Sequence, residues 1–92
     1  MIFAMDTTEE VKQIIMQAIE SAEVYVFDPR NDGKHLRAFV ISKSFINESL
    51  VKQHQMVMGP LKEKFQMDLH ALSIQTFTPE EWENFPKKME VS

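Results

Sequence analysis

No cysteine occurs anywhere in the 92-residue chain. It therefore has no disulfide, no thiol nucleophile and no thiolate metal ligand of its own, and any metal must be held by histidine, carboxylate or a partner's ligands. Glycine is nearly as scarce, with two residues. So few glycines exclude a phosphate-cradling loop and a dinucleotide fingerprint, and neither a G-x-S-x-G elbow nor an H-E-x-x-H pair is present. No apolar run approaches the ~20 residues that span a bilayer. The opening Met1–Met5 is apolar but short and lacks a basic flank, so it does not read as a signal peptide; it reads as a start-site extension with Met5 as the functional first residue. The expected location is the cytoplasm, with no membrane partner. Positive charge is in deficit, 10 Lys and Arg against 14 Asp and Glu, for a net charge of −4. Nucleic-acid binders draw affinity from cations that neutralise phosphates. Here the balance runs the other way, and no basic run exceeds Lys87-Lys88.

What is present is an ordinary globular composition, 43% hydrophobic and 26% charged, in a length that allows one domain with a small core. Thr7 and Glu10 have capping-box spacing, and Val11, Ile14, Ile15, Ala18 and Ile19 follow one helix face, which predicts a helix over 8–21. Glu23–Phe27 is a β-branched and aromatic run. Asp28-Pro29-Arg30-Asn31-Asp32-Gly33 breaks it, and extended structure resumes over His35–Ile41, so the two strands read as a hairpin. Ser44–Glu48 is a candidate short helical turn. Over 49–66 the residues Val51, His54, Met58, Leu61 and Phe65 form one stripe, with a kink or restart expected near Gly59-Pro60 because proline lacks an N–H. A third strand is expected at Leu69–Thr76. Thr78-Pro79-Glu80-Glu81 then has the spacing of a capped helix start, with Trp82 and Phe85 placed to pack its inner side. The tail beyond Phe85 is charged. The order predicts an α+β domain: a three-stranded sheet with its helices packed on one face. The domain is expected over 8–85, with an N-terminal extension 1–7 and a charged tail 86–92.

Only the three histidines invite a chemical reading, since the acidic residues are scattered, those at helix starts being explained by the helix dipole. His70 shares strand parity with Leu72 and Ile74. It is either a hydrogen-bonded residue of the sheet margin or, because it opens the strand, a rim residue presenting a nitrogen outward. His54 falls on the helical stripe and is expected to be packed and structural. His35 begins the second strand beside the polar loop, as a solvated strand-end residue or a ligand. Of the seven methionines, Met16, Met56 and Met58 are expected to fill core gaps.

Three stretches together resemble the BolA family: Val51-Lys52-Gln53-His54-Gln55-Met56-Val57-Met58-Gly59-Pro60-Leu61; Leu69–Thr76 followed by Thr78-Pro79-Glu80-Glu81-Trp82; and His35–Ser42 followed by Phe45. The resemblance covers Thr8 to Trp82. It implies an α-β-β-α-β-α domain of the class II KH-like type and a non-enzymatic adaptor. The implied partner is a monothiol glutaredoxin with a Cys-Gly-Phe-Ser motif. A 2Fe–2S cluster would be bridged between the chains, with thiolates from glutaredoxin and glutathione and a histidine from this chain; none is expected in the isolated chain. The matching histidine is His70. The family's second ligand, where used, lies in the loop between the first two strands; here that loop, 29–34, contains neither His nor Cys, and His35 at its end is the nearby candidate. The alternative implied by the resemblance is a DNA-binding transcriptional regulator of the stress and morphology response. Its contacts would come from Lys34, Arg37, Lys43 and Lys52, although the G-x-x-G loop of KH-like nucleic-acid binders is missing. Weak DNA binding and a monomer or weak homodimer are the corresponding expectations.

Overall fold

Valines and aromatics alternate from Val24 to Phe27, and the strand they form has two apolar faces. The computed structural model describes residues 7–31, 35–64 and 72–85. Its elements run α1 (Thr7–Ala18), β1 (Glu23–Phe27), β2 (Leu36–Ile41), a 3-10 turn (Lys43–Phe45), α2 (Leu50–Lys64), β3 (Leu72–Phe77) and α3 (Pro79–Glu83). The sheet order is β1-β2-β3. β1 and β2 are antiparallel, from Glu23 opposite Ile41 to Phe27 opposite Arg37. β2 and β3 are parallel, from Leu36 beside Leu72 to Ile41 beside Phe77. A parallel pair needs a crossover, and α2 lies on that connection.

Local chemistry explains the turns. The N–H of Asn31 donates to the Asp28 carbonyl at 3.0 Å, closing a turn after β1, and Asn31 takes φ 53°, a left-handed conformation that asparagine tolerates. Asn47, at φ 66°, reverses the chain between the 3-10 turn and α2. At α3 the expected box is complete: the Glu81 N–H donates to Thr78 Oγ1 at 3.2 Å, and the Thr78 N–H donates to Glu81 Oε1 at 2.8 Å. The matching expectation for Thr7 rests on a side chain outside the described residues, as do the extension 1–6, the tail 86–92 and the strand start at Leu69–Ala71.

Parity along β2 sorts the core into two clusters. Leu36 and Val40 join Val11, Ile15, Ile19, Val24, Phe45, Val57 and Leu61 in an aliphatic core beneath α1 and α2. Phe39 and Ile41 point the other way and join Phe77, Tyr25, Phe27, Trp82 and Phe85. The α+β class and the three-stranded sheet are as expected, but the helices do not all share one face. α1 and α2 cover one side, and α3 covers the other, because Trp82 packs over Phe39 and Phe77 with ring centroids 5.8 and 5.1 Å apart.

α2 departs from its expected stripe. Gln53, Val57 and Leu61 are its buried positions, whereas His54 is exposed and Val51 is 69% exposed. The reason is polar. The Gln53 amide donates to the carbonyls of Phe45 (3.2 Å) and Glu48 (2.9 Å), and its oxygen accepts from Thr76 Oγ1. A side chain that satisfies three neighbours stays inside despite its polarity, and the helix is turned to place it there. The helix also runs unbroken through Gly59-Pro60. Met56 and Met58 pack against the core as expected, but Met16, 42% exposed, does not fill it. A second buried polar residue, Ser42, ties three segments. Its N–H donates to the Phe77 carbonyl, its Oγ donates to the Glu20 carbonyl, and the Ser44 N–H donates to that Oγ, each at 3.0 Å.

Candidate functional site

The parallel register of β2 and β3 brings the entrances of the two strands side by side, with Leu36 beside Leu72. His35 immediately precedes β2 and is exposed. Behind it Leu36 is buried in the aliphatic core, so the entrance has an apolar floor and an exposed imidazole beside it. His70, two residues ahead of β3 in the sequence, lies outside the described residues, and so does Lys34. His54, exposed on α2, is neither packed in the core nor near this end in sequence.

The cations named for the alternative reading are dispersed. Arg37 is exposed on the aromatic side of the sheet, its guanidinium 5.8 Å from the Phe39 ring centroid. Lys43 follows the far end of the same strand, about 20 Å away at ~3.3 Å per residue. Lys52 is exposed on α2, which covers the opposite side of the sheet. Three phosphate contacts from these positions would not lie along one groove. Among the described residues, no three His, Cys, Asp or Glu side chains gather into a metal-holding group.

A second cleft was not legible in the sequence. Ser21, Glu23, Ile41, Ser42, Lys43, Pro79, Trp82 and Glu83 line a cavity of about 490 Å³ between the exit of β2 and α3. At its edge the Tyr25 ring stacks on Trp82 at 5.5 Å and its hydroxyl donates to a Glu23 carboxylate oxygen. That hydrogen bond raises the phenol above its ordinary value, with burial and the carboxylate's charge adding to it. Tyr25 and Trp82 are the only residues of their types, a signal that could have marked them; the pairing itself needed the fold.

A family profile described as BolA-like protein matches residues 9–81. The acid stress protein IbaG of Escherichia coli (strain K12) is 36% identical over 74 residues, covering 79% of this chain and 84% of that protein. A protein of Haemophilus influenzae named DNA-binding transcriptional regulator BolA is 34% identical over 65 residues, covering 71% of this chain and 63% of that one. Among solved structures, a bolA protein homologue from Coxiella burnetii superposes with a TM-score of 0.71 at 34% identity, over 86% of this chain and 99% of that one. No helix among the described residues is long and apolar enough to cross a membrane.

Proposed function

The chain belongs to the BolA family, and from that premise we propose that it is a non-enzymatic cytoplasmic adaptor which pairs with a monothiol glutaredoxin and shares a 2Fe–2S cluster with it. The observation that carries the reading is the strand entrance. β2 and β3 enter the sheet side by side, His35 stands exposed at one entrance, and His70 precedes the other by two residues in the sequence. The donor chemistry fits a jointly held cluster. A chain without cysteine would supply imidazole in place of thiolate, and thiolates from glutaredoxin and glutathione would complete the set. Replacing thiolate by neutral imidazole makes such a centre less anionic and raises its potential. When bound, the cluster supplies a transferable iron–sulfur unit; the chain's own part is to hold one side of it and to dock the partner. In this reading the working unit is 8–85, flanked by the extension 1–7 and the tail 86–92, and the chain alone is a monomer or weak homodimer.

The test is to mix the purified protein with cluster-loaded monothiol glutaredoxin and record visible absorption and circular dichroism. His70→Ala is expected to abolish the spectral change while leaving the apo heterodimer, whose interface draws on many contacts. His35→Ala is expected to weaken it in part. An unchanged spectrum with His70→Ala and a lost one with His35→Ala would make the loop histidine the main ligand. If neither variant differs from the unmodified chain, the adaptor reading fails. The second reading, DNA binding, is favoured by the Haemophilus relative named as a DNA-binding transcriptional regulator. The net charge of −4 and the dispersed cations favour only weak, salt-sensitive binding. Tight sequence-specific binding at physiological salt would promote it.

A further inference from the structure

β3 is an edge strand. β2 pairs with one side of it, and no other described strand lies beyond it. Edge strands are ordinarily guarded by charge, proline, a bulge or brevity. β1, the opposite edge, starts at Glu23 and is followed by Asp28-Pro29. β3 is likewise followed by a proline, Pro79, but within the strand Leu72-Ser73-Ile74-Gln75-Thr76-Phe77 contains no charge, no proline and no glycine over six residues. The Phe77 carbonyl accepts from the Ser42 N–H on the β2 side. By the two-residue alternation of a strand, Ser73 and Gln75 also turn their backbone groups toward β2. Those of Leu72, Ile74 and Thr76 therefore face outward.

Along this edge runs a shallow groove of about 490 Å³ lined by Gln75, Thr76, Phe77, Glu80, Glu81, Asn84 and Phe85. It lies between the C-terminal half of β3 and α3, and no described β2 residue lines it. Its floor is aromatic, from Phe77 and Phe85. Its charge is acidic, from Glu80 and Glu81, with no cation among the described lining residues.

We propose that the free edge of β3 and this groove form a strand-addition site for an extended segment of a partner protein that alternates apolar and basic side chains. The backbone of the segment pairs with Ile74 and Thr76, and its basic side chains reach Glu80 across the groove. A second copy of this chain fits less well, because β3-to-β3 pairing brings two acidic grooves together on chains that already carry −4 each. The site does not depend on the cluster reading. It is built on the C-terminal half of β3, away from the strand entrances, and its test uses no metal.

The probe is a short fluorescent peptide alternating lysine and valine, titrated into the full-length protein by anisotropy, with amide hydrogen exchange read by NMR. Exchange at Ile74 and Thr76 is expected to slow by about tenfold or more, while Ser73 and Gln75, whose N–H groups face β2, change little. Glu80→Gln is expected to weaken binding by roughly twofold to fivefold, and Gln75→Lys, which puts a cation into the groove, by more. Both residues are exposed, so the fold is kept. A peptide N-methylated at alternate residues leaves the protein untouched and should not bind. Equal binding of that peptide overturns strand pairing. Equal binding of a glutamate–valine peptide overturns the charge assignment. Protection that appears without peptide and grows with protein concentration replaces the partner by a second copy, and protection confined to β1 moves the site to the other edge; each of these overturns the proposal.

Discussion

The two faces of the sheet are built differently. One is aliphatic and deep: nine buried side chains, among them Val11, Ile15, Val57 and Leu61, lie under two long helices. The other is aromatic and shallow: Phe39, Ile41 and Phe77 are buried, with Tyr25, Phe27, Trp82 and Phe85 only partly so, beneath the five-residue α3. A long amphipathic helix closes a face by area. A single turn closes one only if a few large rings meet, and here Trp82 meets four of them within 5.8 Å. The aliphatic face should therefore set global stability, and the aromatic face the stability and chemistry of one edge.

The strongest break of that contrast is Leu61→Ala. Leu61 is fully buried, so its truncation should cost about 2–5 kcal/mol, a large share of the roughly 5–14 kcal/mol that a chain of this length holds. Urea unfolding followed by Trp82 fluorescence checks it; a loss under about 1 kcal/mol would mean that the aliphatic face is not the main core. Trp82→Ala should cost less, about 1–3 kcal/mol, because the indole is only half-buried. Hydrogen exchange should then rise first in α3 and β3, while α1 and α2 keep their protection. Equal loss everywhere would make the two faces one cooperative unit. His54→Ala should change stability by no more than about 0.5 kcal/mol, since His54 is exposed on α2; a loss comparable to that of Leu61→Ala would restore the stripe expected from sequence. The smallest effect is a titration. Tyr25 is the only tyrosine, so phenolate absorbance reports it alone. Its folded value is raised by the Glu23 hydrogen bond, then by burial and charge. The stability it contributes is thus complete below the ordinary value of about 10 and is lost as pH rises through the folded value. Glu23→Ala should bring the titration down toward the ordinary range, and an unmoved titration would detach Tyr25 from Glu23.

The α2 helix shows how far hydrophobic periodicity reaches. Its presence was legible, but its rotation was not, because a polar Gln53 is inside while Leu50 and Val51, 68% and 69% exposed, are outside. Of the expected stripe, Leu61 and Met58 do pack in or against the core, while Val51 and His54 are turned out because the buried Gln53 amide finds its partners elsewhere in the fold. The candidate site divides in the same way. His35 and His70 were identified by their residue type and by family resemblance. That β2 and β3 enter the sheet together depends on a parallel register between residues 36 positions apart.

By itself the sequence determined whatever depends on neighbours in the chain. β1 is fixed by its β-branched and aromatic run, the turn at Asp28–Asn31 by its proline and asparagine, α3 by the Thr78–Glu81 box, and the lack of any thiolate by composition. Each rests on contacts within a few residues, where local sterics and hydrogen bonding suffice. Tertiary structure alone decided which side of the sheet α3 covers, that Gln53 turns α2 so that Val51 and His54 face out, that Tyr25 stacks on Trp82, and that no described strand pairs with the outer side of β3. These depend on pairings between distant segments. No local preference encodes them, because the same helix or strand is equally well formed in either orientation until the rest of the chain selects one.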